Sequence, residues 1–144
     1  MYRSEKWRAI LGQTSMVETN LTKELIEAGA KLVKKLDERG LAPDAAFWLF
    51  SPEEERWKLL LADVKLAKKG PKAGYSIVQK VLEEYPKELA DLRLNDLVLE
   101  KPDAPIVELI RKAVHTGPGV AGIRFKNNMI DGTLIDDAYI YRAA

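Results

Sequence analysis

Ala45-Ala46-Phe47-Trp48-Leu49-Phe50, then Ser51-Pro52-Glu53-Glu54-Glu55, then Arg56-Trp57-Lys58-Leu59-Leu60-Leu61-Ala62-Asp63-Val64 is the stretch that decides the fold. Two aromatic and aliphatic runs around a proline-and-acid break read as a β-hairpin. With the turn centred between Pro52 and Glu54, Trp48 opposes Leu59, Phe50 opposes Trp57 and Phe47 opposes Leu60. Neither run alternates between apolar and polar, so neither face of the hairpin suits water. Such a ribbon belongs inside a sheet covered on both sides, by helices or by a partner chain.

Upstream, Leu21, Leu25, Ile26, Ala28, Leu32, Val33 and Leu36 recur at spacings of three and four, which predicts an amphipathic helix from Asn20 to Arg39. Asn20 is its expected cap and Gly40 its stop. Downstream, Lys68-Lys69-Gly70-Pro71 breaks the chain, and Ala73, Ile77, Val78, Val81, Leu82 and Tyr85 resume helical spacing with Pro71 at the first position. A strand is expected over Leu92–Leu99, with Asn95-Asp96 as a point of bending. Asp103 is the expected cap of a third helix carrying Ile106, Val107, Leu109, Ile110 and Val114, which Gly117-Pro118-Gly119 closes.

Asp131-Gly132 signals a tight type I′ turn. The register it dictates opposes Ile123 to Ile140, Phe125 to Ala138 and Met129 to Leu134 on one face, and Lys126 to Asp137 and Arg124 to Tyr139 on the other. A turn at Asn127-Asn128 is the alternative, and it would unpair those charges. The order is helix, hairpin, helix, strand, helix, hairpin: an α+β domain built on a five-stranded mixed sheet with packed helices.

The 144 residues, 47% of them apolar, suit one domain over residues 20–144 preceded by an N-terminal segment, 1–19. Without cysteine, and with one histidine, thiolate chemistry, disulfides and His-rich metal clusters are excluded or nearly so. With 23 basic against 22 acidic side chains the chain lacks the basic excess of a general nucleic-acid or membrane binder. Arg3, Glu5, Lys6 and Arg8 interrupt the amino-terminal apolar residues, and Leu59–Ala62 is far short of the roughly 20 residues that cross a bilayer, so a cytoplasmic setting is expected.

Few groups converge on chemistry. Lys65, Lys68, Lys69 and Lys72 form a basic run ending at the start of the second helix, a candidate anion site, though lysines in a solvated loop look the same. Gly117–Gly122 follows a helix and enters a strand, the reverse of a phosphate loop. His115 falls in the last turn of the third helix without a visible partner. Arg124, Tyr139 and Tyr141, with Arg142, offer a mixed aromatic and basic interaction face, which cross-strand packing explains equally well. Trp48 and Trp57 read as core, while Trp7 packs over the sheet or reaches another subunit.

Pro43-Asp44 followed by Asp63-Val64-Lys65 resembles the PD-(D/E)xK motif of metal-dependent nucleases. The resemblance implies Asp44 and Asp63 as Mg²⁺ ligands, Lys65 as charge stabiliser, Glu24 or Glu27 as a helical acid and Gln79 as a trailing polar group. Hard oxygen ligands would hold a metal that activates water and neutralises phosphate charge. Read without the resemblance, Asp44 is a turn residue after Pro43, and Asp63 and Lys65 mark a strand emerging into solvent. Ala46-Phe47-Trp48-Leu49, Arg56-Trp57-Lys58-Leu59, Lys69-Gly70-Pro71 with Tyr75, Gly122–Phe125 and Asp137–Tyr141 are similar to a group of small bacterial proteins of unknown function, which brings no catalytic residue. The leading expectation is a binding or interaction domain without a cofactor, meeting a small molecule, another protein or a second copy through an apolar sheet surface or the terminal hairpin. The alternative is the Mg²⁺-dependent phosphodiesterase.

Overall fold

The computed structural model describes residues 20–68 and 70–144; the segment 1–19, with Trp7, lies outside the described residues. Helix α1 (Lys23–Glu38) leads into β1 (Ala45–Ser51) and β2 (Arg56–Ala62). A short helix α2 (Val64–Lys68), then α3 (Pro71–Glu84) and a 3-10 turn (Leu94–Asp96), connect β2 to β3 (Leu97–Glu100). Helix α4 (Pro105–Ala113) and the ribbon β4 (Ile123–Ile130) and β5 (Thr133–Ala143) complete the chain. The fold is α+β, with strand order β3-β2-β1-β5-β4. Only β2 and β3 run parallel; the other neighbours are antiparallel.

The hairpin that is apolar on both faces is covered on both by the chain's own helices. On one side α1 and α3 bring Leu32, Val33, Leu36, Val78 and Val81 onto Ala46, Trp48, Leu59 and Leu61. On the other, Val107 and Ile110 of α4 pack on Phe47, Leu60, Ala62 and Ile140. Each such aliphatic side chain contributes roughly 1.5–3 kcal/mol when fully buried. Trp48 opposes Leu59 and Phe50 opposes Trp57, as the turn dictated. The terminal ribbon also keeps its expected register, with Asp131 (φ 47°) and Gly132 (φ 80°) supplying the two positive φ values of a type I′ turn. Lys126 stands opposite Asp137 in that register, but the ion pair forms with the neighbouring Arg124, whose guanidinium donates twice to Asp137 at 2.6 Å. A planar fork matches a carboxylate better than a single ammonium does.

Several boundaries differ from expectation. The cap of α1 is Thr22, whose Oγ1 accepts the Leu25 N–H at 3.1 Å, not Asn20. Ala104, not Asp103, occupies the cap position of α4, which has no side-chain cap at all. The strand expected over 92–99 is shortened to Leu97–Glu100 because Leu94–Asp96 coils at the bend signalled by Asn95-Asp96. His115 lies beyond the end of α4, not in its last turn, and is exposed. Val64–Lys68, the start of the basic run, is a helical turn rather than a loop.

Two polar locks hold α1 to the sheet. Arg142, 3% exposed, donates to both oxygens of Asp37 at 2.9 and 2.8 Å, to the Pro43 carbonyl at 3.1 Å and to the Gly119 carbonyl at 3.2 Å. It sits where β1 and β5 change register between Ala46 and Phe47, an irregularity that re-aims a side chain. At the other end of α1, the Tyr141 hydroxyl donates to the Ile26 carbonyl at 2.6 Å and accepts from Trp48 Nε1 at 2.9 Å.

A cleft at the parallel strand ends and the carboxylates beside it

Strands β2 and β3 point the same way, and the helices that follow them, α3 and α4, cover opposite faces of the sheet. Adjacent parallel strands whose connections part in this manner leave a crevice outside their carboxyl ends, a recurrent place for ligands. A cleft of about 470 Å³ lies there, lined by Leu66 of α2, Pro71 of α3, Leu99 and Glu100 of β3, Lys101, Asp103, and Ala104 and Pro105 at the start of α4. Most of that lining is apolar, with a few charged groups, the composition expected of a small-molecule site. Neither Gly70 nor Ala104 caps its helix with a side chain, and Pro71 and Pro105 have no N–H, so the next N–H groups at both helix starts are available as donors.

Asp44 and Asp63 come together beside this region, as the hairpin register requires. The Asp44 N–H donates to the Ala62 carbonyl at 2.7 Å, which extends the pairing of β1 and β2 to the two carboxylates. Asp63 is 3% exposed. Its Oδ1 accepts the Lys65 N–H at 2.7 Å, whereas its Oδ2 is buried without a hydrogen-bond partner. Burial pushes the Asp63 carboxyl above its ordinary pKa and the nearby Asp44 adds to this, while hydrogen bonds from the Lys65 and Leu66 N–H groups and the Lys65 charge pull the other way.

A folded-state pKa above the unfolded one means that the contribution of Asp63 is fully present below the unfolded carboxylate value and is lost as pH rises through the raised value. Asp63→Asn therefore gains stability over the natural protein with rising pH, and the advantage closes towards pH 4, near the unfolded aspartate pKa of about 3.9. Thermal unfolding midpoints of both proteins across pH check this; a gap independent of pH rejects it.

Of the remaining nuclease-like residues, Lys65 is near enough for its charge to act on Asp63, while the helical acids and Gln79 do not join the pair. Lys65 Nζ donates to the Gly40 carbonyl at 2.7 Å. Glu24 and Glu27 are exposed in the first half of α1, while the end of that helix that approaches Asp44 carries Asp37, roughly 15 Å along the axis from Glu27. Gln79 donates to Glu83 on its own helix at 2.9 Å. Among the described residues no group of three His, Cys, Asp or Glu side chains is placed to hold a metal ion. Mg²⁺ is commonly held by one or two carboxylates with water completing its octahedron; of the two carboxylates here, Asp63 has one oxygen already engaged by the backbone.

The other expected site residues are dispersed. Lys68 and Lys72 are exposed, one ending α2 and the other beginning α3, and Lys69 lies outside the described residues. Tyr141 is 1% exposed and so belongs to the core, not to an interaction face. Burial pushes its phenol well above the ordinary tyrosine range, partly offset by the Trp48 N–H. Tyr139 packs edge-on against it at 5.5 Å, and Arg124 lies 5.5 Å from the Trp57 ring while bound to Asp137, so that face is largely satisfied within the chain.

The sequence reading missed Leu66, Leu99, Lys101 and Ala104. A signal was present: after each of the two parallel strands a proline opens a helix, Pro105 shortly after β3 and Pro71 after β2 and the short helix α2. No helix among the described residues is long and apolar enough to cross a membrane. In comparisons with protein-family models, curated proteins and solved structures, nothing matches this chain.

Proposed function

We propose that the chain is a small-molecule binding domain whose ligand occupies the cleft between α2, α3, β3 and α4. The observation that carries this reading is the cleft of about 470 Å³ at the carboxyl ends of the parallel pair β2 and β3, open where two helices part to opposite faces. The apolar lining favours a ligand with an apolar body. Benzyl alcohol, benzoate and benzylamine, which share such a body and differ in charge, test it by saturation-transfer NMR. Transfer from the protein to at least one of them is expected, with a charge preference that sorts the ligand class. Lys101→Trp, at an exposed lining position, abolishes that transfer without altering the unfolding midpoint. Equal transfer in both proteins, or none in either, overturns the reading.

Self-association through the terminal ribbon is a second proposal. Its support is that Met129 and Leu134, 66% and 54% exposed, are the exposed large hydrophobic side chains among the described residues and oppose each other on that ribbon. In size-exclusion with light scattering this proposal requires twice the chain mass for the natural protein and the single-chain mass for Leu134→Lys. A single-chain mass for both rejects it.

A further inference from the structure

We infer that Asp63 and Lys65 are positioning residues for the cleft, acting as a clasp on α2 that holds Leu66 in the cleft wall. The inference rests on the cleft being the binding site. Asp63 immediately precedes α2, and its Oδ1 takes up an N–H of the helix's first turn, that of Lys65, at 2.7 Å. Lys65 then ties the helix to the loop after α1 through the Gly40 carbonyl. Five residues are too few to form a stable helix alone, so what holds α2 in place must come from outside it.

Leu66, 2% exposed, is the part of α2 that lines the cleft. It stands where α3 meets β3 with no slack: a Cβ on Gly74 would come within 3.2 Å of the Leu66 carbonyl and 2.9 Å of Leu99 Cδ1, and Leu99 is itself a lining residue. A shift of α2 therefore moves the cleft wall. Asp44, from the approach to β1, and Lys65 are the charged groups acting on Asp63. What the clasp needs from residue 63 is an acceptor oxygen, which asparagine also has. A metal or catalytic role would need the carboxylate.

The test compares Asp63→Ala, Asp63→Asn and Lys65→Met with the natural protein. Amide hydrogen exchange at Lys65 and Leu66 is read against Val81 in α3, which reports global opening, and saturation transfer to the three benzyl compounds is measured alongside. Asp63→Ala is expected to speed exchange at Lys65 and Leu66 at least tenfold more than at Val81 and to weaken transfer. Asp63→Asn restores both, and Lys65→Met gives a smaller local loss. Unchanged exchange and transfer in Asp63→Ala overturns the inference, as does an Asp63→Asn protein that behaves like Asp63→Ala. If exchange separates the variants as expected and no compound binds any of them, the binding reading falls and the link between clasp and cleft falls with it, while the hold of Asp63 on α2 stands.

Discussion

Asp37→Ala will destabilise the protein by about 3–5 kcal/mol, more than Arg142→Met, although both remove the same ion pair. The asymmetry comes from burial. Arg142 is 3% exposed, and a guanidinium does not shed its proton, so loss of Asp37 leaves a fixed charge in the interior whose other partners among the described residues are the neutral Pro43 and Gly119 carbonyls. The Asp37 side chain is 32% exposed, and once its partner is gone water can solvate it. Arg142→Met keeps much of the stem's packing and leaves two carbonyls short of a donor, a cost of about 2 kcal/mol. Urea unfolding of both single variants and the double variant measures the difference. A double variant less damaged than Asp37→Ala alone is the expected signature of a stranded charge; equal costs for the two single substitutions would contradict it.

Gly29→Ala, on the buried face of α1, is expected to cost about 3 kcal/mol, despite a gain of about 1 kcal/mol in helix propensity. The added methyl carbon would overlap the Tyr141 hydroxyl and stand 2.9 Å from Trp48 Nε1. Either α1 lifts from the sheet or the hydroxyl leaves the Ile26 carbonyl and the indole N–H. Overpacking costs roughly 1–3 kcal/mol and each buried polar group left unpaired a similar amount, so the loss outweighs the helical gain. Tyr141→Phe removes the oxygen that clashes. In that background Gly29→Ala should cost at least about 1 kcal/mol less, and an undiminished cost would show that the contact with Tyr141 is not the cause.

Both hairpins were legible in the sequence, because turn chemistry and a side-chain period of two leave little freedom in register. Asp131-Gly132 placed Ile123 opposite Ile140, and the break at Ser51–Glu55 placed Trp48 opposite Leu59. Apolar residues on both faces of β1 and β2 also called for cover on each side, by helices or by a partner chain, and the chain's own helices supply it. What escaped depended on contacts between distant segments. Arg142 reaches Asp37 across 105 residues, and nothing local distinguishes either from a surface charge. Helix α2 spans five residues, too short for periodicity to show. The site was half legible: register brought Asp44 and Asp63 together, but the direction of the Lys65 side chain and the cleft walls follow from where α2 and α4 dock, which no short motif encodes.

The order β3-β2-β1-β5-β4 has a consequence for biosynthesis. The strand that completes the interior of the sheet, β5, is the last of the five to leave the ribosome, so β1 waits with one backbone edge unsatisfied and Phe47 only partly covered until then. A nascent chain in that condition is exposed to wrong partners for as long as translation lasts. Slow codons late in the message, or ribosome stalling there, would therefore send this protein to chaperones or aggregates more readily than the same delay placed early.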